Sequence, residues 1–303
     1  MDAEDKKEYR RYMLPYLILL LVLLSLFLCS GCGTGIQFTK TDMARGIRLA
    51  TDYQEGDLGY QQLQMFAQSV AEKSDSVLKV QIYGKNEWST AESFTSYLKT
   101  GELELACLPA AEASLLQPLY AIYEQPYLFS NLQTVERYVS GTVAATALQK
   151  LPQYYHGVGF VANGYSYLVQ QDNVQLYSYG MVKHFAEIHA LDHATVYDVR
   201  AQYQLHPLLA SDVWWNTLTV QEQRWIQESF QESLESIFIH QKEIAPQRLL
   251  ERGILLQTVL PVELAGYTEL WMGKREAYFL THSDSLTVYW RPTVTVPVIG
   301  EEI

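Results

Sequence analysis

The chain opens on a segment that decides where the rest of it can fold. Lys6, Lys7, Arg10 and Arg11 precede a nearly continuous apolar run from Met13 to Cys29, which closes on Ser30, Gly31 and Cys32. A cationic start, a membrane-entering apolar stretch and small residues before a cysteine form the layout of a bacterial lipoprotein signal, in which the cysteine thiol takes the lipid. Cys29 and the acidic residues Asp2, Glu4, Asp5 and Glu8 depart from that layout. An uncleaved anchor is the rival, since about 17 apolar residues is the lower limit for a spanning helix. The short apolar core and the small-residue exit favour a signal over residues 1–32 with lipidation at Cys32, followed by a tether over 33–45. Either way, residues 33–303 are expected on the outer face of a bacterial membrane, periplasmic or at the cell surface.

Hydrophobic residues make up 48% of the chain, enough for a real core. The first 32 residues hold four basic and four acidic side chains, so the remainder carries the whole formal charge of −12. That balance argues against nucleic acid or an anionic lipid surface as partner. Beyond residue 32 only Cys107 remains, so no disulfide is expected within the mature chain, and its setting in an apolar run reads as a small core residue.

Ile47 to Ala50 reads as a strand, and Leu58 to Ser74 as a helix with Leu63, Phe66, Ala67 and Val70 at helical spacing. Val77 to Tyr83 alternates like a second strand. Ala91 to Lys99 is a short helix ended by Gly101, and Leu103 to Leu108 is a third strand. Strands alternating with helices give an α/β fold with a mainly parallel sheet. Further on, Leu132 to Leu151 reads as helix, Gly157 to Val169 as strand, and Thr219 to Ile244 as a long helix capped by Thr219, with Trp225, Phe230, Leu234, Ile237 and Phe238 on its apolar side. Ser283 to Ile299 looks β-rich.

Five segments stand out in order: FAQSVAEKSDSVLKVQIYG (66–84), TAESFTSYLKTGELELACLPA (90–110), PLYAIYEQPYLFSN (118–131), VGFVANGYSYLV (158–169) and SDVWWNTLTVQEQRWIQESFQES (211–233), the third being the most specific. Together they resemble the extracytoplasmic solute-binding subunit of tripartite ATP-independent periplasmic (TRAP) transporters, the DctP-like family. The resemblance implies a periplasmic-binding-protein-like, two-lobed fold: a first lobe over 46–170 and a second over 171–303 containing the long helix and a β-rich end. It also implies a non-enzymatic receptor without cofactor that captures a small organic solute, a carboxylate above all, and hands it to membrane permease subunits.

Two departures bear on the site. Family members usually hold the carboxylate with arginines, one of which follows an Asn-Gly-x sequence; here Asn163-Gly164-Tyr165 is followed by Ser166. The Gly-x-Lys-x-Arg strand and the elements after it are not found, which implies a reduced or altered second lobe. Arg200 substitutes if it faces the cleft; a surface arginine paired with Asp198 is the alternative.

Open α/β sheets bind ligands at the carboxyl ends of their strands. Candidate ligand contacts are therefore Tyr53 and Glu55 after the first strand, and Asn86, Glu87 and Trp88 after the second, with Asn163, Ser166 and Arg200 near the lobe crossing. His189 and His193, four apart, are weak zinc candidates on helical spacing, and no metal is expected. No Gly-x-Ser-x-Gly elbow, phosphate-binding Gly-rich loop or Cys-x-x-Cys pair is present. The competing function is a degenerate family member that acts as an interaction or structural lipoprotein without binding a small molecule.

Overall fold

The computed structural model describes residues 44–88, 93–129, 131–243, 245–281 and 298–300. The expected signal, Cys32, almost all of the tether and most of the β-rich end lie outside these residues.

The first sheet has the strand order β2-β1-β3-β8-β4, built from β1 (Arg45–Thr51), β2 (Leu78–Tyr83), β3 (Leu105–Cys107), β4 (Tyr155–Tyr165) and β8 (Tyr203–Ser211). β1 runs parallel to both β2 and β3, whereas β8 runs antiparallel to β3 and to β4. The sheet is therefore mixed and not mainly parallel. The chain comes back from elsewhere along β8, and a returning strand enters from the opposite end.

Helix α1 (Leu58–Lys73) covers one face, burying Leu63, Phe66 and Val70 at the expected spacing. The long helix α8 (Val220–Glu243) lies against it and against β4, burying Ile226, Phe230, Leu234, Ile237 and Phe238. Its start is a reciprocal cap: the Glu222 N–H donates to Thr219 Oγ1 at 3.2 Å and the Thr219 N–H donates to Glu222 Oε2 at 2.7 Å, satisfying two otherwise orphaned donors. On the other face lie α2 (Phe94–Thr100), α3 (Ala110–Leu116), α4 (Leu132–Val139) and α5 (Thr142–Gln149). The helix expected over 132–151 is broken at Ser140-Gly141: the Ser140 N–H still reaches back to α4, and Gly141 opens α5 in an extended conformation.

At Ser166 the chain leaves this sheet. β5 (Tyr167–Gln170) starts a second sheet of order β6-β5-β7-β9, with β6 (Val174–Tyr177), β7 (Thr195–Tyr197) and β9 (Leu256–Gln257). Between β6 and β7 lies α6 (Tyr179–Glu187). After β7 the chain returns to the first sheet for β8, the short α7 (Asp212–Trp215) and α8. Then α9 (Ala245–Glu251) leads back to β9, β10 (Val259–Pro261) and α10 (Ala265–Thr281). The chain thus passes between the two sheets more than once. Of the β-rich end, β11 (Val298–Gly300) is described, parallel to β10. Among the described residues no helix is long and apolar enough to cross a membrane.

Two glycines mark close approaches. A Cβ on Gly159 of β4 would sit 2.1 Å from the Phe230 ring of α8, and one on Gly180 of α6 would sit 2.2 Å from Asp57 Oδ1. Crowding of that kind costs about 1 to 3 kcal/mol. Gly159→Ala and Gly180→Ala should each lower the melting temperature, whereas Gly273→Ala in α10, with nothing within 4 Å of its Cβ, should leave it level or raise it. Calorimetry of the three variants checks the order.

Candidate functional site

The crossing between the sheets is held by neutral amides. The Asn163 carboxamide, buried at the end of β4, accepts from the Gly59 N–H at 2.7 Å and donates through Nδ2 to Gln204 Oε1 at 2.5 Å. Gln204 Nε2 donates in turn to Ser166 Oγ at 3.1 Å. Gly59 lies in the first turn of α1, where backbone N–H groups have no partner inside the helix. Asn163 therefore caps α1 across the sheet. Gln62 Oε1 accepts from the Ala162 N–H at 2.7 Å, and Gln241 Nε2 donates to the Ala162 carbonyl at 2.8 Å. Ser166 is buried in this network, its hydroxyl engaged by Gln204.

Because side chains alternate along a strand, Tyr165 and Tyr167 point away from the Ser166 side. They line a cavity of about 280 Å³ with Tyr179 of α6, Leu58, Leu132 and Gly164, while Asp198, Arg200, Gln241 and Lys242 supply its polar atoms. Arg200 sits in the turn after β7 with φ +49°, a region that L residues seldom enter. Its guanidinium is half exposed, 3.8 Å through Nε from Asp198 Oδ2, and lies over the Tyr165 ring at 5.9 Å. Arg200 thus lines the cavity and pairs loosely with Asp198. Burial pushes the Asp198 carboxyl up from its ordinary value, and the nearby Arg200 pulls it back. Lys242, which belongs to no recognisable motif, brings a second cation from the end of α8 and is bound to Glu136 at 2.5 Å. Its position in the last turn of an exposed helix face gives no signal of its own in the sequence.

The other expected contacts are spread out. Tyr53 is 4% exposed, stacked on His206 of β8 with ring centroids 5.0 Å apart, and its ring fills the space beside Gly59. Glu55 is exposed. Asn86, Trp88, Asp52, Lys85 and Glu112 line a separate hollow of about 450 Å³ at the carboxyl ends of β1, β2 and β3. There Trp88 packs edge-on to Tyr83 and Tyr97, and Glu87 Oε2 accepts from the Gly84 N–H at 2.7 Å. Burial raises both the Asp52 and the Glu112 carboxyls. His189 and His193 lie beyond the end of α6, so they do not share a helix face; both are exposed, and His189 meets Asp192 at 3.6 Å. Among the described residues no group of three or more His, Cys, Asp or Glu is gathered to hold a metal. Cys107 is fully buried, which pushes its thiol well up and keeps it unreactive.

The lobes also touch directly. Asp57, in the loop before α1, accepts from the Ser178 hydroxyl at 2.9 Å and from the Gln54 N–H at 3.1 Å, while Ser178 caps α6 by accepting from the Met181 N–H at 3.3 Å. A first-lobe carboxylate thereby sits at the positive end of a second-lobe helix. Burial raises its pKa, and the two donated hydrogen bonds oppose that rise.

His206 gives the region a pH signature. Partial burial beside Tyr53 lowers its pKa to about 4, against about 6.5 in an unfolded chain. Between those values the unfolded state binds the proton and the folded state does not, so stability falls as pH drops from about 6.5 toward 4, by at most about 1.4 kcal/mol per unit. Below pH 4 both states are protonated and the loss stops growing. His206→Phe should flatten this limb relative to wild type in urea melts taken across pH 4 to 7.

Comparison with known proteins agrees with this geometry. Residues 49–174 match the family model DctP, bacterial extracellular solute-binding protein, family 7. That family is described as one of extracellular solute-binding proteins. A TRAP periplasmic solute-binding protein from Desulfovibrio desulfuricans, solved with sn-glycerol-3-phosphate, superposes with a TM-score of 0.67 at 14% identity, covering 82% of this chain and 100% of its own. One from Sulfurospirillum deleyianum with succinate gives 0.65 at 12%, covering 82% and 98%. The sugar acid binding protein of Advenella mimigardefordensis with galactonate gives 0.60 at 16%, covering 82% and 99%. The fold is therefore that of the α/β periplasmic binding proteins, with two mixed sheets.

Proposed function

We propose that this chain, whose residues 49–174 carry the DctP signature, is the extracytoplasmic solute-binding subunit of a TRAP-type transporter. It captures a small organic acid and presents it to membrane permease subunits. The observation that carries this reading is the cavity at the lobe crossing with Arg200 on its wall. A carboxylate is acceptor-only, and an arginine fork in a partly desolvated site is the side chain best matched to it.

The mechanism follows from the interleaved lobes. β4–β5, β7–β8 and the passage from α8 to β9 connect the two sheets, so the lobes can rotate about these segments without unfolding either core. Tyr179 comes from the second lobe, and Leu58 and Lys242 from elements packed on the first. A solute touching both sides makes its full set of contacts only when the lobes are together. It shifts the equilibrium toward closure by that difference in affinity. The Cys32 thiol, with its lipid, would hold the protein at the membrane while the acidic fold stands off in solvent.

The competing reading, an interaction lipoprotein with a reduced second lobe, gains less support. A four-stranded second sheet is present, and relatives are covered over nearly their full length.

Titrating the full chain in detergent with organic acids, sugar acids and neutral solutes tests the proposal. One class of acid should raise the melting point, by about 2.7 kcal/mol of stability at a hundredfold excess over Kd. Arg200→Gln should weaken that solute by roughly 1.5 to 3 kcal/mol, about tenfold to a hundredfold or more in Kd. A cooperative melt that no solute moves would sink the receptor reading.

A further inference from the structure

If the cavity at the lobe crossing is the solute site, as the proposed function has it, its wall carries a group that the protein itself leaves without a partner. Tyr179 opens α6 in the second lobe and lines the cavity. It is 1% exposed, and its hydroxyl is buried with no hydrogen-bond partner among the described residues. Other tyrosines around the crossing are satisfied. The Tyr165 hydroxyl donates to the Phe129 carbonyl at 3.1 Å, Tyr197 to Gln170 Oε1 at 3.1 Å and Tyr203 to Gln241 Oε1 at 2.7 Å. Tyr53 also has an unbonded hydroxyl, but it does not line this cavity. A hydroxyl shut away from water and left unbonded destabilises the fold, and a solute that bonds to it removes that cost.

The place of Tyr179 in the chain gives this hydroxyl a second property. It stands between Ser178, which donates to Asp57 of the first lobe at 2.9 Å, and Gly180, whose Cβ position lies 2.2 Å from Asp57 Oδ1. The direct contact between the lobes therefore fixes where the Tyr179 ring stands over the cavity. The rest of the polar wall comes from other elements. Arg200 meets Asp198 only by a 3.8 Å contact through Nε, and Lys242, bound to Glu136, has three N–H donors that one carboxylate oxygen does not exhaust. Asp198 is an acceptor on the same wall.

We infer that the Tyr179 hydroxyl is a specificity-determining contact of this site, bonding an oxygen that the solute carries apart from the carboxylate held at Arg200. A phenol both donates and accepts, so that oxygen belongs to a hydroxyl or to a second carboxylate. An analogue that lacks it returns Tyr179 to its unbonded state, and a site that loses such a bond discriminates more strongly than one that loses only apolar contact. The contact is made from the second lobe, so it counts toward closure as well as toward affinity.

Isothermal titration of the full chain in detergent with butyrate, 3-hydroxybutyrate, 4-hydroxybutyrate, succinate and malate tests the assignment, in wild type, Tyr179→Phe and Arg200→Gln. At least one acid with the added oxygen should bind more tightly than butyrate, by about fivefold or more. Tyr179→Phe should erase that margin and leave butyrate as it was, whereas Arg200→Gln should weaken every acid that binds. Without solute, Tyr179→Phe should melt level with wild type or above it, since its lost hydroxyl strands no partner. Binding that needs Arg200 while the margin survives Tyr179→Phe, or while all acids weaken alike, would overturn the role of Tyr179 and leave the solute site standing. A solute-free Tyr179→Phe that melts below wild type would overturn it too, by showing the hydroxyl bonded within the protein. Binding indifferent to Arg200→Gln, or a panel in which nothing binds, would overturn the site and this role together.

Discussion

Everything in this protein turns on the single residue between two sheets. β4 ends at Tyr165, β5 begins at Tyr167, and Ser166 between them is locked by Gln204 and, through it, Asn163. The lock is neutral, buried at Asn163 and Ser166, half-buried at Gln204, and anchored on the first turn of α1 through Gly59. Each such bond is worth only about 0.5 to 1.5 kcal/mol net, yet removing one partner strands another buried group at about 1 to 3 kcal/mol. Strand alternation does the rest. Fixing Ser166 on the amide side turns Tyr165 and Tyr167 to the other, where the cavity forms.

The direct contact between Asp57 and the start of α6 adds a second constraint. Gly180 is needed there because a side chain would collide with the carboxylate, and Ser178 serves both as helix cap and as donor to Asp57. The lobes therefore have an attraction of their own, independent of solute. The proposed receptor role requires that attraction to be weaker than the closure a bound solute would drive, since a state already fully populated cannot report binding.

Much of the first lobe was legible from residue patterns. Period-two alternation marked Val77 to Tyr83, observed as Leu78–Tyr83, helical spacing marked Leu58 to Ser74, observed as Leu58–Lys73, and the Thr219 cap marked the start of α8. Strand direction was not legible, because a parallel and an antiparallel β8 would show the same apolar run. The break at Ser140-Gly141 was missed because apolar residues continue at compatible spacing through it. For the site, Arg200 was visible as a cation near the crossing, whereas its left-handed turn was not. Tyr53 illustrates the converse: its loop was placed correctly at the end of β1, but the partner that turned its ring inward, His206, lies more than 150 residues on. Side-chain direction in such loops is set by distant strands, which no local pattern encodes.

The most direct test of the account is a crystal structure of the protein grown with the solute that stabilises it most. The account predicts a carboxylate within about 3 Å of the Arg200 guanidinium, enclosed by Tyr165, Tyr167 and Tyr179, with Ser166 still sealed by Gln204. Solute lodged instead against Trp88 and Glu112, or with Arg200 turned to solvent away from it, would contradict the central claim.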